Sequence, residues 1–295
     1  MTSFLKSILI AIRPKTLSAS IAPVLVGSSI AFNSSHFNMQ IFFLTFFSAI
    51  FIQIGTNFAN DVYDFINGAD NDERIGPTRA VQANLISVRA MKYLTIISFS
   101  LSVISGLPLV IQGGYPILLV GILSIISGYA YTGGPYPLGY NGWGDIFVFI
   151  FFGPIAVCGT FFLQLGYLSV ESIISGIIMG CLSVTLLCIN NIRDVETDRN
   201  VGKRTIAVRF GVMFVKILFI SLFLISYLLL AYLSFNLSYL NTNVFFLLLI
   251  ITVPLCIKLN FDVFKLKSHS LNRLLSNVSV FIIIFSLLFI LSILI

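Results

Sequence analysis

Two segments, Asn57-Phe-Ala-Asn-Asp-Val-Tyr-Asp64 and Asn190-Asn-Ile-Arg-Asp-Val-Glu-Thr-Asp198, concentrate acid in a 295-residue chain that is 58% hydrophobic and only 9% charged. Asn57, Asp61 and Asp64 stand at i, i+4 and i+7, and Asn190, Asp194 and Asp198 at i, i+4 and i+8, so each set shares one face of a helix. Two carboxylates about 6 Å apart repel by about 3 kcal/mol at an effective dielectric near 20, and like charges at helical spacing are destabilising. A cation is therefore expected between them. Mg2+ fits, because it binds through one or two carboxylates and leaves room for the phosphate oxygens of a substrate.

Basic loops follow both acidic faces. The first, Gly68 to Arg79, mixes Asp70 with Arg74 and Arg79, and the second brings Lys203, Arg204 and Arg209. Arginine grips phosphate oxygens in pairs, so a diphosphate clamp is one reading and a solvated loop is the other. The second loop is no Walker A loop, since no strand precedes it and Lys203 is followed by Arg204. Between them, Gly133 to Asp145 is rich in Gly, Pro and aromatics. It reads either as an ordinary connection with tight turns or as a lip over a cavity to which Tyr131, Tyr136 or Tyr140 contributes.

The elements that position these groups are membrane helices. The mean hydropathy of +1.02 is far above that of a soluble protein, and about 20 apolar residues cross a bilayer as a helix. Dividing the uncharged stretches by that length predicts nine spans, broken at Asn33–Asn38, at Gln112–Pro116 and around Ser234–Asn243. The second and sixth spans end in the acidic segments. They run in the same direction, which predicts two parallel four-helix halves plus a last helix in an all-α bundle.

With nine spans, all 17 Lys and Arg fall at the N-terminus and in alternate loops, which predicts a cytoplasmic N-terminus and both acidic segments on that side. The net charge of +6 is then a topology signal, and nucleic acid is excluded as a partner. The first apolar run lacks a small-residue cleavage site and reads as a retained helix. The four cysteines read as small apolar fillers, and His36 and His269 stand in loops without partners at ligand spacing.

The acidic segments at the ends of the second and sixth spans resemble the two Asp-rich motifs of the UbiA superfamily of intramembrane prenyltransferases. Arg13-Pro-Lys-Thr16, Asn-Asp-Val-Tyr-Asp64, Gly68-Ala-Asp70, Arg74-Ile-Gly-Pro-Thr-Arg79, Tyr-Thr-Gly-Gly-Pro-Tyr-Pro137 and Gly-Lys-Arg-Thr205 are together similar to the 1,4-dihydroxy-2-naphthoate prenyltransferase branch, from about Ile12 to Gly211. The resemblance implies one unit over 1–295 in a cell inner (plasma) membrane. It implies transfer of a polyprenyl group from an allylic polyprenyl diphosphate to 1,4-dihydroxy-2-naphthoate, with loss of CO2, in menaquinone synthesis. Asp61, Asp64, Asp194 and Asp198 would be catalytic and, with Asn57, would hold Mg2+. Asn57, Asn60, Asp70, Arg74, Arg79, Tyr131, Asn190, Asn191, Arg193, Lys203, Arg204 and Thr205 would bind substrate. Many members of the superfamily space the first acid pair by four, whereas here Asp61 is followed by Asp64, which leaves Asp64, Asp70 or both to complete the first shell.

Within the enzyme class the alternative is a prenyl or phytyl transferase acting on another aromatic acceptor, such as homogentisate, 4-hydroxybenzoate or, in a phylloquinone-type naphthoate phytylation, a phytylated naphthoquinone precursor. The rival from another class is a secondary transporter, which places its polar groups near the bilayer midplane. Here the acids, Glu171 excepted, and all the bases lie at or beyond one set of helix ends.

Overall fold

The computed structural model describes residues 2–32, 34, 37–71, 74–236 and 241–295, and these form helices and turns without a strand. His36, Asp72, Glu73 and part of the break around Ser234–Asn243 lie outside the described residues. The chain opens with α1 (Thr2–Ile12) and α2 (Pro14–Phe32), joined through Arg13. Pro14 is at ease in the first turn of α2, where a backbone N–H has no helical partner to lose. Then come α3 (Met39–Ile66), α4 (Val88–Ala130), α5 (Gly144–Ile150), a π-helical turn at Phe151–Ile155, and α6 (Ala156–Leu165). The second half holds α7 (Val170–Arg193), two short helices α8 (Val195–Asn200) and α9 (Ile206–Phe210), and the long helices α10 (Val212–Asn236), α11 (Thr242–Lys265) and α12 (Leu271–Leu294).

Among the described residues eight helical segments are long and apolar enough to cross a membrane, against the nine expected, and the difference lies in α4. Its 43 residues would reach about 65 Å if straight, twice the roughly 30 Å hydrocarbon layer. It is not straight. Gly114 takes φ 66°, ψ −155°, a region essentially restricted to glycine. A methyl placed on Gly128 would lie 3.8 Å from the Phe99 ring, although those residues would be about 44 Å apart on one continuous helix. The two arms of α4 thus lie side by side, and the chain turns within Gln112–Pro116.

α7 is the most enclosed of the long helices. Its Gly176 and Gly180 form a small-xxx-small face that admits the neighbouring backbone directly. A methyl on Gly180 would fall 2.7 Å from the Phe149 carbonyl oxygen, and one on Gly153 would fall 2.6 Å from the Gly180 Cα. The largest buried cluster joins α2, α7, α10, α11 and α12, with Phe219, Phe223, Phe281 and Phe285 packed ring to ring at its centre. Outer faces are apolar too: Ile104 is 64% exposed and Leu228 61%, as a lipid-facing surface requires. The chain is a multi-pass membrane protein. Its first half has only small buried clusters, and the space they leave is the cavity.

Candidate active site

A cavity of about 940 Å3 lies between α2, α3, both arms of α4, α5, α6 and α7. On α3 it is lined by Thr45, Ser48, Ile52, Thr56, Asn60 and Asp64, steps of three and four that mark one helical stripe. From Thr45 to Asp64 that stripe runs about 28 Å, nearly the depth of a hydrocarbon layer. Val103, Leu107, Ile122, Phe147, Phe151 and Leu163 give its walls an apolar character, and the charged residues gather at one rim.

At that rim α3 and α7 end together. Asp64, in the last turn of α3, accepts hydrogen bonds from the Lys203 ammonium and the Tyr140 hydroxyl, both at 3.0 Å, and faces Arg79 at 3.6 Å. Lys203 also reaches Asp198, just beyond α7, at 3.7 Å, and lies 4.4 Å from the centre of the Tyr140 ring. Asp194, which ends α7, takes two bonds from the Arg193 guanidinium at 2.6 and 2.7 Å. Arg193 is held in turn by the Asn272 side chain, whose amide donates to the Ile75 carbonyl, so the two motif loops are tied together. Asp64 and Asp194, at helix C-termini, meet the negative end of the helix dipole, and each is met by a cation.

Burial lowers the basicity of Lys203, but the adjacent carboxylates of Asp64 and Asp198 outweigh it and raise its pKa. Burial lifts Asp198 to about 6, with Lys203 pulling the other way. Asp70 is lifted to about 7 by burial and by Asp64, against the pull of Arg74. The phenols of Tyr131 and Tyr140 are both pushed up, Tyr131 by burial and the charges of Asp145, Asp64 and Asp198, Tyr140 by burial and Asp64, so both stay neutral.

Of the residues singled out from sequence, Asn57, Asn60, Asp64, Arg74, Arg79, Tyr131, Asn190, Asn191, Arg193, Asp194, Asp198, Lys203 and Thr205 line the cavity. Asp61, expected as a metal ligand, does not. It is 0% exposed, and its two oxygens accept the backbone N–H groups of Ala80 and Val81 at 3.1 Å. Asp61 holds the loop whose Pro77, Thr78 and Arg79 line the cavity. Asn57 is spent on the fold as well: its amide donates to the Ile12 carbonyl at 2.8 Å and its oxygen accepts from Gln53. The cavity pair on α3 is Asn60 and Asp64, whose counterpart on α7 is Asn190 and Asp194. Asn60 accepts from the Thr132 hydroxyl at 2.8 Å.

Two further residues expected at the site do not line the cavity. Arg204 is exposed and outside the cavity, whereas its neighbours Lys203 and Thr205 line it. Its backbone N–H instead holds the Tyr140 carbonyl at 2.7 Å. Asp70 is buried behind the rim between Arg74 and Arg79 and supports those two guanidiniums, without reaching the cavity.

Sequence reasoning missed two lining residues as site residues. Arg13 reads from sequence first as a headgroup anchor and second as a receiver of anionic substrate; its backbone is left-handed (φ 55°), it lines the cavity, and its Nε is enclosed without a partner. Asp145 reads as a helix boundary, yet it is buried in the cavity wall beside Asn191.

The donor set fits Mg2+. The candidate ligands at the rim are hard carboxylate oxygens, and among the described residues no three acids gather at one point. That suits an ion that takes one or two carboxylates and completes its shell with phosphate oxygens and water.

A model of the UbiA prenyltransferase family matches residues 20–293. The 1,4-dihydroxy-2-naphthoate octaprenyltransferase of Escherichia coli (strain K12) is 39% identical over 206 residues, covering 68% of this chain and 67% of the relative. The protein of the same name from Haemophilus influenzae is 38% identical over 207 residues, with 68% and 67% covered. In fold, the chain is similar to a UbiA homolog from Archaeoglobus fulgidus bound to DMAPP and Mg2+, with a TM-score of 0.68 at 18% identity over 97% of this chain and 99% of that one.

Proposed function

The chain belongs to the UbiA prenyltransferase family, and on that premise we propose that it transfers a polyprenyl group from an allylic polyprenyl diphosphate to 1,4-dihydroxy-2-naphthoate. CO2 and diphosphate leave, and demethylmenaquinol is formed for menaquinone synthesis. The observation that carries this reading is the joining of one charged rim to one apolar trough nearly as deep as a bilayer leaf pair. A substrate with a diphosphate head and a long hydrocarbon tail has that shape. We read the whole chain, 1–295, as one unit in the inner (plasma) membrane with the rim facing the cytoplasm, in keeping with the alternation of its Lys and Arg.

Asp64 from the first acidic segment and Asp194 and Asp198 from the second would offer carboxylates to Mg2+, one or two to each ion, and the metal when bound neutralises charge on the leaving diphosphate. Lys203, Arg74, Arg79 and Arg193 exchange carboxylate partners for phosphate oxygens, and Arg13 offers its unpartnered Nε. The Tyr140 phenol, kept neutral, donates at the same place. The allylic carbon becomes cationic as the C–O bond breaks, and the rings of Tyr131, Phe147 and Phe151 stabilise it through their negative faces. The apolar walls exclude water that would otherwise capture that cation.

The test offers the purified full chain several aromatic acids carrying a labelled carboxyl, one allylic diphosphate and Mg2+. Labelled CO2 released from the naphthoate alone, with a prenylated product, supports the reading. Transfer to 4-hydroxybenzoate alone, or to homogentisate alone, overturns it.

A further inference from the structure

We propose that Asp145 receives the aromatic acceptor, its carboxylate binding a ring hydroxyl and taking that proton as the ring attacks; this deepens the prenyl-transfer reading above and rests on it. Asp145 is 7% exposed and lines the cavity. Asp64, Asp194 and Asp198 at the rim are each paired with a cation, but among the described residues Asp145 has no cation within 4.0 Å. Its side-chain partner is the Asn191 amide, at 3.4 Å from both oxygens, a long and weak pair of bonds. A buried carboxylate at a membrane helix end is costly when unpaired, so its retention calls for a partner that arrives with the substrate.

The scaffold fixes this group. The glycine face of α7 brings the α5 backbone into contact, which sets Asp145 at the start of α5 against Asn191 near the end of α7. On the other side a methyl on Gly144 would fall 2.8 Å from the Tyr131 hydroxyl, so there is no slack. Tyr131 lies in the field of Asp145, Asp64 and Asp198 together, which puts the acceptor carboxylate and the donor rim in one neighbourhood.

The electron count closes. As the allylic C–O bond breaks, its pair leaves with the diphosphate. The ring carbon bearing the carboxylate supplies the pair for the new C–C bond, and the hydroxyl becomes a ketone as its proton passes to Asp145. Loss of CO2 then returns the C–C pair to the ring. The ketone oxygen takes the proton back, and Asp145 is regenerated with no net proton consumed.

A first-turn aspartate also serves a helix end by accepting its free N–H groups, and asparagine does this nearly as well. Asp145→Asn therefore separates the roles. In the full chain in lipid nanodiscs, with an allylic diphosphate, the naphthoate and Mg2+, the variant should lose at least 100-fold in kcat. The donor KM, and the slow release of diphosphate without acceptor, should stay within about threefold of wild type. Asp145→Glu should recover at least 10-fold of the loss. Retention of kcat by the Asn variant, or equal loss of acceptor-independent diphosphate release, overturns the proposal. Absence of prenyl transfer by the wild-type chain overturns the underlying reading, and this one with it.

Discussion

The Lys203 ammonium lies 3.0 Å from the Asp64 carboxylate, across 139 residues of sequence, and so joins the first acidic helix end to the loop behind the second. Charge-assisted bonds of this kind contribute about 1.5–3 kcal/mol. If Lys203 hands its bonds to a diphosphate, Lys203→Met should raise the donor KM by roughly 10- to 100-fold, while the acceptor KM changes little. Steady-state kinetics with each substrate varied in turn decides it; an unchanged donor KM removes Lys203 from the clamp.

Asp61 and Asp64 are three residues apart, yet they should behave as opposites. Asp64→Asn should abolish Mg2+-dependent turnover with the fold intact. Asp61→Asn keeps one acceptor for the Ala80 and Val81 N–H groups and buries no new charge. It should lower stability by about 1–3 kcal/mol and leave turnover per folded molecule near wild type. Thermal denaturation alongside activity separates the two, and equal inactivation without destabilisation in both would return Asp61 to the metal shell.

That contrast shows where sequence reading succeeds and where it stops. Long apolar runs and the placement of Lys and Arg disclose the helices, because burial in lipid is decided by composition. Which helix face meets the cavity is a tertiary matter. Asn57, Asn60, Asp61 and Asp64 contain two overlapping i, i+4 pairs, and only the docking of the loop at Ala80 and Val81 shows that the Asp61 oxygens are taken up by backbone N–H groups. The α4 turn at Gly114 could be read from its Gly-Gly-x-Pro pattern. The pairing of Asp145 with Asn191 could not, since it depends on two helices meeting through glycines.

Burial holds Asp198 at about 6, above the usual carboxylate range. The ionised form is the one that would hold Mg2+, so protons compete for it at higher pH than for an exposed acid. The Mg2+ concentration giving half-maximal rate should therefore rise as pH falls through about 6 and level off above it. Measured between pH 5 and 8, a requirement that does not change with pH would exclude Asp198 from the shell.

Gly121 on α4 and Gly159 on α6 line the cavity, and a methyl on either would meet nothing within 4 Å. Glycine inside a helix costs about 1 kcal/mol relative to alanine, so a side chain here should stabilise the helix while filling the trough. Gly121→Leu and Gly159→Leu should each lower kcat/KM for a long-chain donor by at least 10-fold. A two-unit donor, whose tail ends nearer the rim, should be used about as well as before. Competition between short and long donors in one reaction, with products separated by chain length, gives the ratio directly. A ratio unchanged by both substitutions would mean that the tail leaves the trough sideways into lipid before reaching these positions, and the part of the cavity beyond them would then play no role in donor choice.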